Sequence, residues 1–127
     1  MYPIGVRGAR ILVVDDEPAA VEILTRFFEA SGHRTDGAGS AEAAIEALRR
    51  GSYDFVLLDV VLPGLTGLQA LAKLKTLTQA PIHVMSGTND DEMRTDARLL
   101  GASGFFGKPL DLAAILAAID ALPPAAP

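Results

Sequence analysis

The sequence predicts an α/β protein of the flavodoxin-like type, with five parallel strands in the order 2-1-3-4-5 and helices on both faces. Three observations predict it. Short apolar runs without alternation recur along the chain, as in strands buried on both faces. Apolar stripes at i, i+3, i+4, i+7 separate those runs, as in amphipathic helices. Regular βα alternation implies parallel strands joined by right-handed crossovers. A weak, polar run in second place belongs at a sheet edge, and the order 2-1-3-4-5 puts it there.

Taken in order, Ile11-Leu12-Val13-Val14 is the first strand. Val21, Leu24 and Phe28 mark the first helix, with Pro18 near its start, where a missing N–H does no harm. The polar run from His33 to Ala38 is the second strand. Ser40 is an N-cap for a helix carrying Ala41, Ala44, Ile45 and Leu48. Phe55-Val56-Leu57-Leu58 is the third strand, followed by Leu68, Leu71 and Leu74 on a helix. Ile82-His83-Val84-Met85 is the fourth strand, followed by a helix marked by Met93, Ala97 and Leu100. Phe105-Phe106 is the fifth strand, and Leu112, Ile115, Leu116 and Ile119 face the core from a last helix expected over Leu112 to Leu122. Gly32, Gly51 and Gly101 sit just past helix ends, as C-terminal glycines do. One domain is expected over residues 9–122, and residues 123–127, rich in Pro and Ala, read as a tail or the start of a linker. The extension before residue 9 is compatible with a natural start at Met1.

Composition narrows the chemistry. Among 127 residues, 16 acids against 11 bases give a net charge of -5, which argues against generic binding to nucleic acid or anionic membrane. There is no cysteine, so disulfides, thiol nucleophiles and Cys-based zinc sites are excluded. The two histidines, His33 and His83, are far apart and read as structural residues, at a helix end and within a strand. No stretch approaches the roughly 18 uninterrupted apolar residues of a membrane span, and the first nine residues hold no signal-peptide core. A cytoplasmic domain is expected, working through carboxylates, Ser/Thr, Lys and backbone.

Each strong strand stops on a polar residue: the first at Asp15-Asp16-Glu17, the third at Asp59, the fourth at Ser86, and the fifth, after Gly107, at Lys108. Open α/β sheets bind ligands beyond the carboxyl ends of their strands, so these positions are expected at one rim. Asp15, Asp16 and Asp59 would repel one another without a cation. Oxygen-only ligation suits Mg²⁺, with Mn²⁺ as the other candidate. Lys108 and Ser86 suit phosphoryl oxygens, as point charge and hydroxyl donor. Each residue has a plainer reading by itself: Asp15 or Glu17 as a helix cap, Ser86 as a turn residue before Gly87-Thr88-Asn89-Asp90, Lys108 as a solvated lysine. The four strand ends together are hard to explain that way.

The chain resembles the receiver domain of two-component response regulators. The resemblance is carried by Ile11-Leu12-Val13-Val14-Asp15-Asp16-Glu17-Pro18, Leu57-Leu58-Asp59-Val60-Val61-Leu62-Pro63-Gly64 with Gly67, Met85-Ser86-Gly87, Gly101-Ala102, and Phe105-Phe106-Gly107-Lys108-Pro109. It implies that Asp59 accepts a phosphoryl group from a histidine of a sensor kinase or phosphotransfer protein. It further implies Mg²⁺ held by Asp16, Asp59 and the Val61 carbonyl, with Asp15 acting through a water. Ser86 and Lys108 would contact the phosphoryl group, Lys108-Pro109 would be a cis peptide, and Ser86 with Phe105 would form the switch. That switch would reshape the face made by the fourth helix, fifth strand and fifth helix, which addresses a partner or output domain. The implied role is a signalling switch rather than an enzyme, as a monomer or weak homodimer without direct nucleic-acid binding.

Three departures stand out: Val61 where many relatives are polar or longer, Gly87 where Ala is commoner, and Phe105 where Tyr is frequent. The first two bear on dephosphorylation rate and the third on one hydrogen bond. The last helix is apolar nearly all round, with Ala113, Ala114, Ala117, Ala118 and Ala121 opposite its core face. That pattern fits either helix propensity or a partner surface. The competing function is an Mg²⁺-dependent phosphatase or phosphotransferase with an Asp nucleophile. Such enzymes commonly carry a second acid two residues later, where this chain has Val61.

Overall fold

The computed structural model describes residues 8–62, 64–87 and 91–122. Pro63, the segment 88–90 cited above as a turn, the first seven residues and the Pro/Ala-rich segment 123–127 lie outside the described residues. The chain forms β1 (Arg10–Val14), α1 (Pro18–Ala30), β2 (Arg34–Ala38), α2 (Ala41–Arg50), β3 (Phe55–Asp59), α3 (Gly67–Lys75), β4 (Ile82–Ser86), α4 (Asp91–Leu99), β5 (Gly104–Gly107) and α5 (Leu112–Asp120). The strands make one parallel sheet of order β2-β1-β3-β4-β5, as expected.

Strand alternation divides the interior into two cores. Leu12, Val14, Val56, Leu58, Ile82 and Val84 pack with α2, α3 and Ala97 of α4. Ile11, Val13, Phe55, Leu57 and Met85 face the other way, onto Leu24 and Phe28 of α1 and Ile115 and Ile119 of α5. Burial of each such side chain contributes about 1.5–3 kcal/mol. The three central strands are buried along their apolar runs apart from half-buried His83. The edge strands differ: β2 is polar and buried only at Ala38, and the phenylalanines of β5 are only half-buried.

Local chemistry starts the helices. Ser40 Oγ accepts the Ala43 N–H, and Asp111 accepts the Ala114 N–H. Thr66 and Gln69 form a reciprocal capping box at α3. α1 begins on Pro18 without a side-chain cap. Three sequence expectations change. Gly32 and Gly101 take positive φ (94° and 103°), but Gly51 is extended at φ -154° and instead lies against the Arg10 guanidinium. Leu100 falls beyond α4 and is 40% exposed, leaving Ala97 as that helix's buried residue. α5 ends at Asp120, and its core contact rests on Ile115 and Ile119, with Leu112 and Leu116 half-buried.

His33 is a buried clamp. Its Nδ1 accepts the Ala9 N–H at 2.9 Å, which leaves the proton on Nε2 to be donated to Asp120 Oδ1 at 3.1 Å. One ring thus joins the start of β1, the entry to β2 and the end of α5.

Candidate functional site

The strands run parallel, so their carboxyl ends share one edge of the sheet. Asp59 closes β3, a strand buried at all five positions. The residue is 4% exposed and its carboxylate fully engaged: Oδ1 accepts the Val61 N–H at 2.8 Å, and Oδ2 accepts from Lys108 Nζ at 2.8 Å. Lys108 reaches Asp59 because β5 pairs with β4, setting Gly107 against Ser86. The Lys108 N–H then donates to the Ser86 carbonyl at 2.8 Å. The Lys108–Pro109 peptide is cis.

Asp15 arrives from the other side. The β1–β3 register pairs Val14 with Leu58, so the next residue of each strand, Asp15 and Asp59, come side by side. Asp15 is buried, and its Oδ1 accepts the Glu17 N–H at 2.9 Å. Burial raises the Asp15 carboxyl above the ordinary carboxylate range; the Glu17 hydrogen bond opposes this and the charge of Asp59 adds to it. Lys108 is the counterweight. Burial pulls its ammonium down, but the hydrogen bond and charge of Asp59, with Asp15 and Glu17, outweigh burial and leave it above the usual lysine value. Ser86 ends β4 at 1% exposure.

Two of the plainer readings fail here. Lys108 is not a free surface lysine, because it pairs with Asp59. Asp15 does not cap α1, because the N-cap position is Glu17, which makes no side-chain cap bond. Of the three acids expected together, Asp15 and Asp59 stand side by side, while Asp16 is exposed. Among the described residues, no three acidic or histidine side chains are arranged as a metal cluster. The donor chemistry nonetheless fits a hard divalent cation: two neighbouring buried carboxylates, all-oxygen ligation and a single ammonium against them. Val61 turns its side chain outward, 71% exposed, while its N–H holds Asp59.

Phe105 lies on β5 opposite Val84, half-buried against the α4-side core. The sequence did not reveal the Val61 and Glu17 N–H bonds to the two aspartates, because backbone donors leave no residue signature. It also did not reveal the Arg94 guanidinium, centred 4.5 Å from the Phe105 ring centroid.

A family model described as "Response regulator receiver domain" matches residues 11–120. Transcriptional activator protein PfeR of Pseudomonas aeruginosa is 35% identical over 94% of this chain, which spans 39% of that protein. Transcriptional regulatory protein TcrA of Mycobacterium tuberculosis is 34% identical over 92% of the chain, which spans 47% of that protein. The chain therefore spans under half the length of these curated relatives. A two-component response regulator from Clostridium difficile superposes with a TM-score of 0.86 at 28% identity, covering 89% of this chain and 93% of that one. A response regulator from Burkholderia pseudomallei, solved with a phosphorylated aspartic acid, a calcium ion and citrate, superposes with a TM-score of 0.83 at 27% identity, covering 89% of this chain and 67% of that one.

Proposed function

The chain belongs to the response regulator receiver domain family of two-component systems, and we propose that it works by accepting a phosphoryl group on Asp59 from a phosphohistidine of a sensor kinase or phosphotransfer protein. One observation carries the reading: Asp59 is a buried carboxylate at the end of a central strand, held 2.8 Å from the Lys108 ammonium and beside Asp15.

In the transfer, an Asp59 oxygen forms a bond to phosphorus as the phosphorus–nitrogen bond to the donor imidazole breaks. The imidazole leaves with the electron pair, and the product is an acyl phosphate. The Val61 N–H fixes one carboxylate oxygen and thereby the rotamer of Asp59. Lys108 neutralises charge on the carboxylate and then on the phosphoryl oxygens, and Ser86 donates its hydroxyl to one of them. Mg²⁺, or Mn²⁺, when held by Asp16, Asp59 and the Val61 carbonyl, with Asp15 through a water, supplies positive charge against the phosphoryl oxygens. Phosphorylation adds about -1.5 to -2 charge and three acceptor oxygens. Ser86 follows that charge, Phe105 turns inward, and the α4-β5-α5 face changes for a partner or output domain. The unit of function is residues 9–122. It acts in the cytoplasm as a monomer or weak homodimer, without direct nucleic-acid contact and without turnover beyond its own phosphorylation and dephosphorylation. Among the described residues, no helix is long and apolar enough to cross a membrane.

The test is incubation with acetyl phosphate and Mg²⁺, read by mass. One acid-stable, base-labile adduct of about +80 Da is expected, and it is lost in Asp59→Asn. Persistent labelling of that variant removes Asp59 from the role. Multiple turnover of small phosphate esters would instead make the protein a phosphatase.

A further inference from the structure

We propose that Arg94 is a positioning residue for Phe105, its guanidinium stacked on the ring so that it sets how readily β5 responds to the state of Asp59. The proposal rests on the phosphoryl-accepting role given above. Phe105 sits on an edge strand with one strand neighbour, β4. Two residues further on, Gly107 pairs with Ser86, and the next N–H donates to the Ser86 carbonyl. The ring is therefore tied through a short stretch of backbone to the two side chains that meet the phosphoryl group.

The ring also contacts α4. The Arg94 guanidinium carbon lies 4.5 Å from the ring centroid. Arg94 is half-buried, and its Nε is buried with no hydrogen-bond partner. A guanidinium with a desolvated Nε draws its compensation from the ring face, and such contacts strengthen as water is removed. The packing around the pair is loose. A cavity of about 80 Å³ adjoins it, lined by Ala97, Ala102, Ser103 and Gly104 as well as by Arg94 and Phe105. α4 itself is anchored by one buried residue, Ala97. Ring and guanidinium thus border open space, and the contact is a bias on the ring rather than a fixed wall.

Phosphorylation that turns Phe105 inward must break this stack. The unstacked ring is the conformer that the phosphoryl group selects, so weakening the stack enlarges its population and speeds labelling. Arg94→Gln should raise the rate of labelling by acetyl phosphate about two- to fivefold, the range of a single cation–π contact. In the unphosphorylated protein it should also move the Phe105 ring resonances, read by NMR on phenylalanine-labelled protein, toward their phosphorylated positions. Arg94→Lys, which keeps the charge, should restore most of the wild-type behaviour. In a Phe105→Leu background, Arg94→Gln should leave the labelling rate unchanged. Equal rates and unmoved resonances in Arg94→Gln would overturn the proposal, as would an equal effect of Arg94→Gln with Leu at position 105. Failure of the wild-type protein to label at all is a different result: it overturns the acceptor role of Asp59, and the coupling with it.

Discussion

Asp59 and His83 show how neighbours decide what a side chain does. Asp59 is nearly as buried as Val56, Leu57 and Leu58 before it, yet both oxygens are satisfied, one by a backbone N–H and one by an ammonium. Its burial is tolerable only with those partners. His83 has the opposite lot. Its ring is stacked between Phe55 and Phe106 at centroid distances of 4.5 and 5.4 Å, and its Nδ1 is buried without a partner. Burial lowers its pKa from the ordinary 6.5. The unfolded chain takes up this proton near that ordinary value, and the folded chain only at lower pH. Between the two values the unfolded state binds more protons, so stability falls as pH drops through that window. The urea midpoint should therefore decline as pH drops below about 7, and His83→Leu should flatten the decline. An unchanged slope in the variant would place the loss elsewhere.

At the scale of elements, the connection from β3 to α3 holds the site in shape. The Val60 N–H donates to the Met85 carbonyl, its own carbonyl accepts the Gly67 N–H at 2.8 Å, and the next N–H, from Val61, holds Asp59. Gly67 is the keystone of that loop. A Cβ there would fall on the backbone of Val60, where no side chain could yield to make room. Gly67→Ala should therefore destabilise the fold by about 2 kcal/mol or more, measured by urea denaturation. It should also slow labelling of Asp59, because the clash displaces the peptide that orients the carboxylate. The sequence marked Gly67 only as part of a family motif. The close approach behind it links residues seven apart across a turn, and no periodicity reports such a contact.

For the whole molecule, the parallel sheet gathers Asp15, Asp59, Ser86 and Lys108 from four strands to one edge, at the cost of crowding two carboxylates. The raised Asp15 carboxyl records that crowding: burial disfavours its charge, and Asp59 adds to the effect. A divalent cation bound only by the folded state relieves it and stabilises by mass action. At ten times its dissociation constant, the gain is about 1.4 kcal/mol. Mg²⁺ should raise the melting temperature of the wild type by a few degrees, a shift that Na⁺ at equal ionic strength does not reproduce. Asp15→Asn removes one of the crowded charges. It should melt higher than the wild type without Mg²⁺ and gain less from adding it. Equal shifts in both proteins would remove Asp15 from the cation's surroundings.

Sequence alone determined the five strands, the five helices and their order in the sheet. Burial on two faces writes continuous apolar runs, and burial on one stripe writes a 3.6-residue period. It also located the polar strand ends, since parallel connection forces them to one edge. Tertiary structure decided how those ends are used. The Lys108–Asp59 pair spans 49 positions and exists because β5 docks beside β4. The exposure of Leu100, the shallow burial of β5 and the Arg94–Phe105 stack likewise depend on which elements happen to face each other. Local patterns report whether a residue is buried, because water acts on each residue separately. They do not report its partner, because an ion pair or a ring contact is a property of two residues that only the fold brings within reach.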